Sequence, residues 1–173
     1  MGFCTSWAVD ELKGKEWIEV VDVDMKINSL PEVFKDKKII QVSDLHYSKT
    51  VSFNYLRRCV ERINELNADI VMLTGDYITH DLIGSYRKKV IQLIGEIQSK
   101  KGVYACLGNH DYGVDGVLGS VHSKQIKKMI SGLEKAGIHV LRNSSHLIKE
   151  KKQRLRLVGI GDVWAGDFEP EKA

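Results

Sequence analysis

A chain of 173 residues, 43% hydrophobic and 28% charged with only two prolines, is long enough to bury one substantial core and is neither disordered nor fibrous in composition. Its formal net charge of +3 names no polyanionic partner. The basic residues are scattered apart from KEKKQR at Lys149 to Arg154, which reads as a solvated turn, and no basic stripe with interleaved aromatics suggests nucleic acid.

Cys4, Cys59 and Cys106 are odd in number and lack CxxC spacing, which favours a reducing compartment without disulfides. No apolar run approaches the roughly 20 residues of a membrane span, and no secretory signal opens the chain. The expected location is cytoplasmic, at most peripheral at the inner face of the cell membrane. MGFCTS matches the short N-myristoylation pattern, with Gly2 and Ser6 in place, and is given no weight. Residues 1–15 are set apart as an amino-terminal extension, and 16–173 as the amino-terminal part of one domain.

EWIEVVDVDMKI alternates apolar and polar positions and predicts an edge strand. A repeating pattern follows: KIIQVSD, a helix from about Asn54 to Asn67, ADIVMLTGD, a helix from about Ser85 to Gln98, and GVYACLGNHD. IIQV, IVML and VYACL are apolar on both faces, as in a parallel sheet sandwiched between helices, and right-handed crossovers place them side by side. The fold class is therefore α/β, layered, with a mostly parallel central sheet flanked by helices. After the Gly-rich segment from Gly113 to Gly119, a helix around Lys124 to Ala136 carries Ile126, Met129, Ile130 and Leu133, capped by Gly137. IHVL, HLIKE and LRLVGIGD supply short strands. The chain then stops where such a layered domain continues, so the fold is expected to be incomplete at its carboxy terminus.

The three central strands end alike: in Ser43-Asp44-Leu45-His46, in Gly75-Asp76, and in Gly108-Asn109-His110-Asp111. Carboxyl ends of parallel strands share one edge, where open α/β sheets place their ligands. Asp44 and His46, two apart, can reach one ion, and the ligand set suits Mn, Fe or Zn. Asp76 can bridge two cations about 3.5 to 4 Å apart. Asn109 offers a neutral oxygen, while Gly75 and Gly108 let the backbone bend beside it. His110 is expected to face a substrate's leaving oxygen, with Asp111 holding its imidazole. Taken singly, each residue also has an ordinary reading: Asp44 and Asp76 as helix N-caps, His46 as a surface histidine, Asn109 as a turn residue.

D-x-H, G-D and G-N-H-D in this order, on this spacing, resemble the leading motifs of the calcineurin-like metallophosphoesterases. The likeness runs from about Trp17 to the end, and WIEV, LPEVF, VLRNSS and VGIGD look like the membrane-associated bacterial branch. Within it, ACLGNHDYG and VGIGDVWAG look most like the enzyme that hydrolyses UDP-2,3-diacylglucosamine in lipid A synthesis. The resemblance implies two divalent metal ions, with manganese first and iron or zinc as alternatives. Asp44 and His46 would hold the first, Asp76 would bridge, Asn109 would hold the second, and His110 would contact the phosphoryl group with Asp111 behind it. It implies hydrolysis of a phosphoester or pyrophosphate bond by a metal-activated hydroxide, in a phosphorylated small molecule or nucleotide-lipid.

Members of that family also carry a later lone histidine and a closing G-H-x-H, and neither stands here. His80, His122, His139 and His146 read as structural or surface residues. The expectation is a fragment of a longer enzyme, with a truncated inactive scaffold, or a half completed by another chain, as alternatives.

Overall fold

A computed structural model describes residues 18–81, 84–113 and 123–173, together with the backbone of residues 2–9. The stretches 10–17 and 114–122, which include Trp17, His122 and most of the Gly-rich segment, lie outside the described residues.

Six strands form one sheet in the order β2-β1-β3-β4-β5-β6: β1 Gly2–Val9, β2 Ile18–Met25, β3 Lys38–Val42, β4 Ile70–Leu73, β5 Val103–Ala105 and β6 His139–Val140. The ladders from β1 through β3, β4 and β5 to β6 are parallel, and β2 runs antiparallel along the outside of β1. The alternating segment thus lies at an edge, as its half-polar pattern predicts. Part of the stretch set apart as an extension contributes a strand between that edge and the core strands.

Helix α1, Phe53–Glu65, starts where the Ser52 hydroxyl accepts the Tyr55 amide at 3.1 Å. It turns Tyr55, Leu56, Cys59, Val60 and Ile63 inward at helical spacing. Helix α2, Ser85–Ile94, ends short of the predicted Gln98, because Gly95 is a poor helix former and the chain turns there. The short α3, Asn109–Tyr112, follows β5. Helix α4, Ser123–Lys135, closes with Gly137 at φ +83° and with bonds from Gly137 N to Glu134 O and from Ile138 N to Leu133 O. That is the paired pattern a left-handed glycine allows.

Strand parity divides the core. Ile40, Val42, Val71, Leu73, Val103 and Ala105 share one buried cluster with the inward faces of α1, α2 and α4. Ile70 and Tyr104 point the other way, into a smaller cluster with Phe34, Leu141 and Ile148. The sequence reading places helices on both faces. Among the described residues the second face is instead covered by an antiparallel hairpin, β7 Ser144–Glu150 and β8 Gln153–Gly159, whose Ile148, Leu155 and Leu157 supply the apolar surface. The KEKKQR run forms the tip of that hairpin, with Lys151 and Lys152 exposed in its turn.

Candidate metal centre

Beyond their last ladder bonds β3 and β4 stay side by side. Asp44 N donates to Gly75 O at 3.1 Å, His46 N to Asp76 O at 2.9 Å and Tyr47 N to Tyr77 O at 3.0 Å. Neither Asp44 nor Asp76 caps a helix; both sit in these paired loops. Asp44, His46 and Asp76 all have left-handed backbone, with φ +57°, +44° and +55°. A non-glycine residue held there costs on the order of 1 kcal/mol or more, and such strain concentrates where side chains must be aimed.

The aim is convergent. His46 Nε2 stands 3.4 Å from Asp44 Oδ1 and 3.8 Å from Asp76 Oδ2. Ligand atoms of His46, Asp76 and His110 all fall within 4.8 Å of one another, and the two imidazoles meet edge to face with centroids 4.9 Å apart. Donors bound to one cation at about 2.1 Å stand about 3.0 to 3.4 Å apart in octahedral or tetrahedral arrangement, so the Asp44–His46 pair fits an ion and Asp76 lies slightly wide of it. The nitrogen and oxygen donor set suits a borderline divalent metal.

Asp76 is more enclosed than either Asp44 or His46, its side chain 15% exposed against 62% and 31%. Burial raises its carboxyl above the ordinary carboxylate range, opposed by the His110 amide, which donates to Oδ1 at 3.1 Å, and by the charges of His110 and His46. Oδ2 then faces His46. Asn109 opens α3 directly after Gly108 and lines a cavity of about 430 Å³ with Thr74, Asp162, Trp164 and Phe168.

Two glycines make this close approach possible. A Cβ on Gly108 would lie 2.7 Å from Asp76 Cγ and closer still to Oδ1, and one on Gly75 would lie 2.8 Å from Gly108 Cα. The GD and GNHD loops therefore pack backbone against backbone.

Asp111 departs from expectation. Its carboxylate does not hold the His110 ring: Oδ2 accepts Asp76 N at 2.8 Å and Gly108 N at 3.1 Å, and Oδ1 accepts Tyr77 N at 3.0 Å. Buried to 1% exposure, it clamps the two loops together. Burial pushes its carboxyl up to about 7, against the pull of those amides. Its two oxygens are consumed by amides that only the folded loops bring to it. The His110 ring is held instead by the Thr79 carbonyl, 3.0 Å from Nδ1.

Sequence reasoning missed Thr79 and Tyr77. The Thr79 hydroxyl lies 3.3 Å from His46 Nδ1 and 3.2 Å from the His46 carbonyl. Tyr77, fully buried, reaches Cys106 O at 2.7 Å and Leu73 O at 3.0 Å through its hydroxyl, joining β4 to the end of β5. Nothing in the local pattern marks either residue. His80 is exposed, with its ring centroid 6.1 Å from that of His110. His139 and His146 instead pack around Tyr104.

The carboxy-terminal segment is tied down beside α3. Arg142 holds Asp167 through two nitrogens, and Tyr112 donates its hydroxyl to the same carboxylate. Asn143 accepts Gly161 N at 2.8 Å and Glu169 N at 3.1 Å and donates to Asp167 O at 2.6 Å. This holds the exposed Val163, Trp164 and Phe168 at the cavity rim.

A family model described as calcineurin-like phosphoesterase matches residues 37–165, most of the chain. The phosphodiesterase YaeI of Escherichia coli is 31% identical over 144 residues, covering 81% of this chain and 50% of its own length. A transmembrane protein with metallophosphoesterase domain from Danio rerio is 29% identical over 85% of this chain and 32% of its own. The UDP-2,3-diacylglucosamine pyrophosphatase LpxG of Chlamydia trachomatis is 23% identical over 79% of this chain and 52% of its own. The chain thus spans about half or less of the length of these relatives. Among the described residues no helix is long and apolar enough to cross a membrane.

Proposed function

This chain belongs to the calcineurin-like phosphoesterase family, and we propose that it serves as a metal-dependent phosphohydrolase cleaving a phosphoester or pyrophosphate bond. The observation that carries the reading is the convergence of Asp44, His46, Asp76 and His110 from three strand ends, with left-handed backbone at the first three. Asp44, His46 and Asp76 would hold one divalent ion, and Asp76 with Asn109 a second, manganese being first choice. When bound, the ions lower the pKa of water and neutralise phosphoryl charge.

The chain's own groups do the rest. His110, anchored at Nδ1, presents its Nε2 edge to the phosphoryl group, and in its protonated form donates to the departing oxygen. Asp111 keeps the GD and GNHD loops at their separation. The apolar rim of Val163, Trp164 and Phe168 beside Asn109 supports a substrate with a bulky apolar portion, so a nucleotide-lipid of the kind named for the Chlamydia relative is the finer proposal. Such a substrate would bring the protein to a membrane surface.

One observation favours a second reading, a metal-binding module without turnover. Among the described residues His46, Asp76 and His110 are the only three His, Cys, Asp or Glu side chains whose ligand atoms all lie within 4.8 Å of one another, which leaves a second ion few ligands. Hydrolysis of a chromogenic phosphodiester with added manganese tests the first reading. Activity lost in Asp76→Ala and in His110→Ala is expected, and rates unchanged in both would refute it. Manganese binding at a single site without hydrolysis would establish the second.

A further inference from the structure

We infer that Thr79 is a positioning residue for both histidines of the site, its side chain setting His46 and its main chain setting His110. This rests on the reading of the site as a metal centre.

A main-chain carbonyl can only accept a hydrogen bond, so the ring nitrogen 3.0 Å from Thr79 O must be an N–H: His110 carries a proton on Nδ1. The Thr79 hydroxyl has a single proton. Donated to the His46 carbonyl at 3.2 Å, it leaves the oxygen's lone pairs facing His46 Nδ1 at 3.3 Å. In that arrangement His46 also carries a proton on Nδ1, and in its neutral form each ring turns an unprotonated Nε2 toward the centre. The distances around His46 Nε2 agree. At 3.4 Å from Asp44 Oδ1 and 3.8 Å from Asp76 Oδ2 it is too far for the hydrogen bonds of about 2.7 to 2.9 Å that a charged pair makes, while the Asp44 distance is that of two donors on one cation and Asp76 stands slightly wide of it.

Thr79 is able to serve both rings because β3 and β4 remain paired past the site, up to the contact between Tyr47 and Ile78. That pairing carries Thr79 level with His46, while Asp76 and Asp111 hold the turn bearing His110. Hydrogen bonds to the far nitrogen of a metal-binding imidazole fix the ring and raise its basicity, and losing one costs about 10- to 100-fold in metal affinity.

The test compares the full chain with Thr79→Val and Thr79→Ser. Calorimetric titration with zinc chloride should show affinity lowered 10- to 100-fold in Thr79→Val and largely recovered in Thr79→Ser. Proton–nitrogen spectra of protein labelled on histidine nitrogen supply a second readout, taken zinc-loaded and metal-free at about pH 9, well above the ordinary imidazole value near 6.5. The His46 Nδ1–H signal should vanish in Thr79→Val while that of His110, held by the main chain, persists. Persistence of both ring protons, or loss of both together, overturns the inference, as does wild-type zinc affinity in Thr79→Val. If the wild-type chain binds no zinc, the metal-centre reading fails, and the metal-free spectra still decide the role of Thr79.

Discussion

Replacing Gly108 by alanine tests whether the site is built by close approach of two loops. Gly108 has φ −96° and ψ 171°, which any residue adopts, so the added methyl brings no backbone strain of its own. It does bring a collision. The new Cβ would stand 2.7 Å from Asp76 Cγ and 2.8 Å from Asp76 N, where carbon atoms prefer about 3.5 to 4.0 Å, so the two loops must part by roughly 1 Å. Overpacking of this kind costs about 1 to 3 kcal/mol, or roughly 2 to 12 °C in melting temperature for a chain of this size. The displaced atom is the carboxylate proposed to bridge the metals, so manganese affinity should fall by at least about tenfold, equivalent to about 1.4 kcal/mol. Gly137→Ala is the control: its Cβ meets no atom within 4 Å, and it carries only the strain of φ +83°. Thermal melts and manganese titrations of both variants decide the matter. Gly108→Ala that binds manganese like the wild type would show that Asp76 need not sit where these loops hold it.

Tyr77→Phe removes the buried hydroxyl that serves Leu73 O and Cys106 O, and should cost about 1 to 2 kcal/mol in chemical denaturation with little change in fold. Asn143→Ala removes three hydrogen bonds to the segment carrying Trp164, so hydrogen exchange at the Gly161 and Glu169 amides should accelerate at least tenfold while the α1 amides are unaffected. For Asp111, raised by burial to about 7, the folded chain holds the carboxyl proton more tightly than the unfolded chain does. Its contribution is fully present below about pH 4 and is lost as pH rises through about 7. The metal-free protein should therefore melt lower at pH 8 than at pH 5, and Asp111→Asn, which cannot ionise, should narrow that difference; an equal difference in the two would contradict the assignment.

The alternation of strands and helices, and the position of each motif at a strand's carboxyl end, were legible in the sequence. Both depend on local periodicity and on the handedness of crossovers, which IIQV, IVML and VYACL express within a few residues each. So was the likeness of SDLH, GDY and GNHD to one family. What could not be read there is set by partners distant in the chain. Asp111 looks like the neighbour of His110, but its oxygens go to the amides of Asp76 and Tyr77, 35 and 34 residues earlier. The His110 ring goes to a carbonyl, and carbonyls carry no sequence signal. The hairpin covering the second face follows from which side of the sheet Ile70 and Tyr104 leave exposed, a matter of register. The sequence by itself determined which side chains arrive at the edge of the sheet, because their types and spacing are covalent facts. Only the tertiary structure decided which of them touch, because main-chain donors and acceptors, identical at every residue, acquire partners when separate loops are packed against each other.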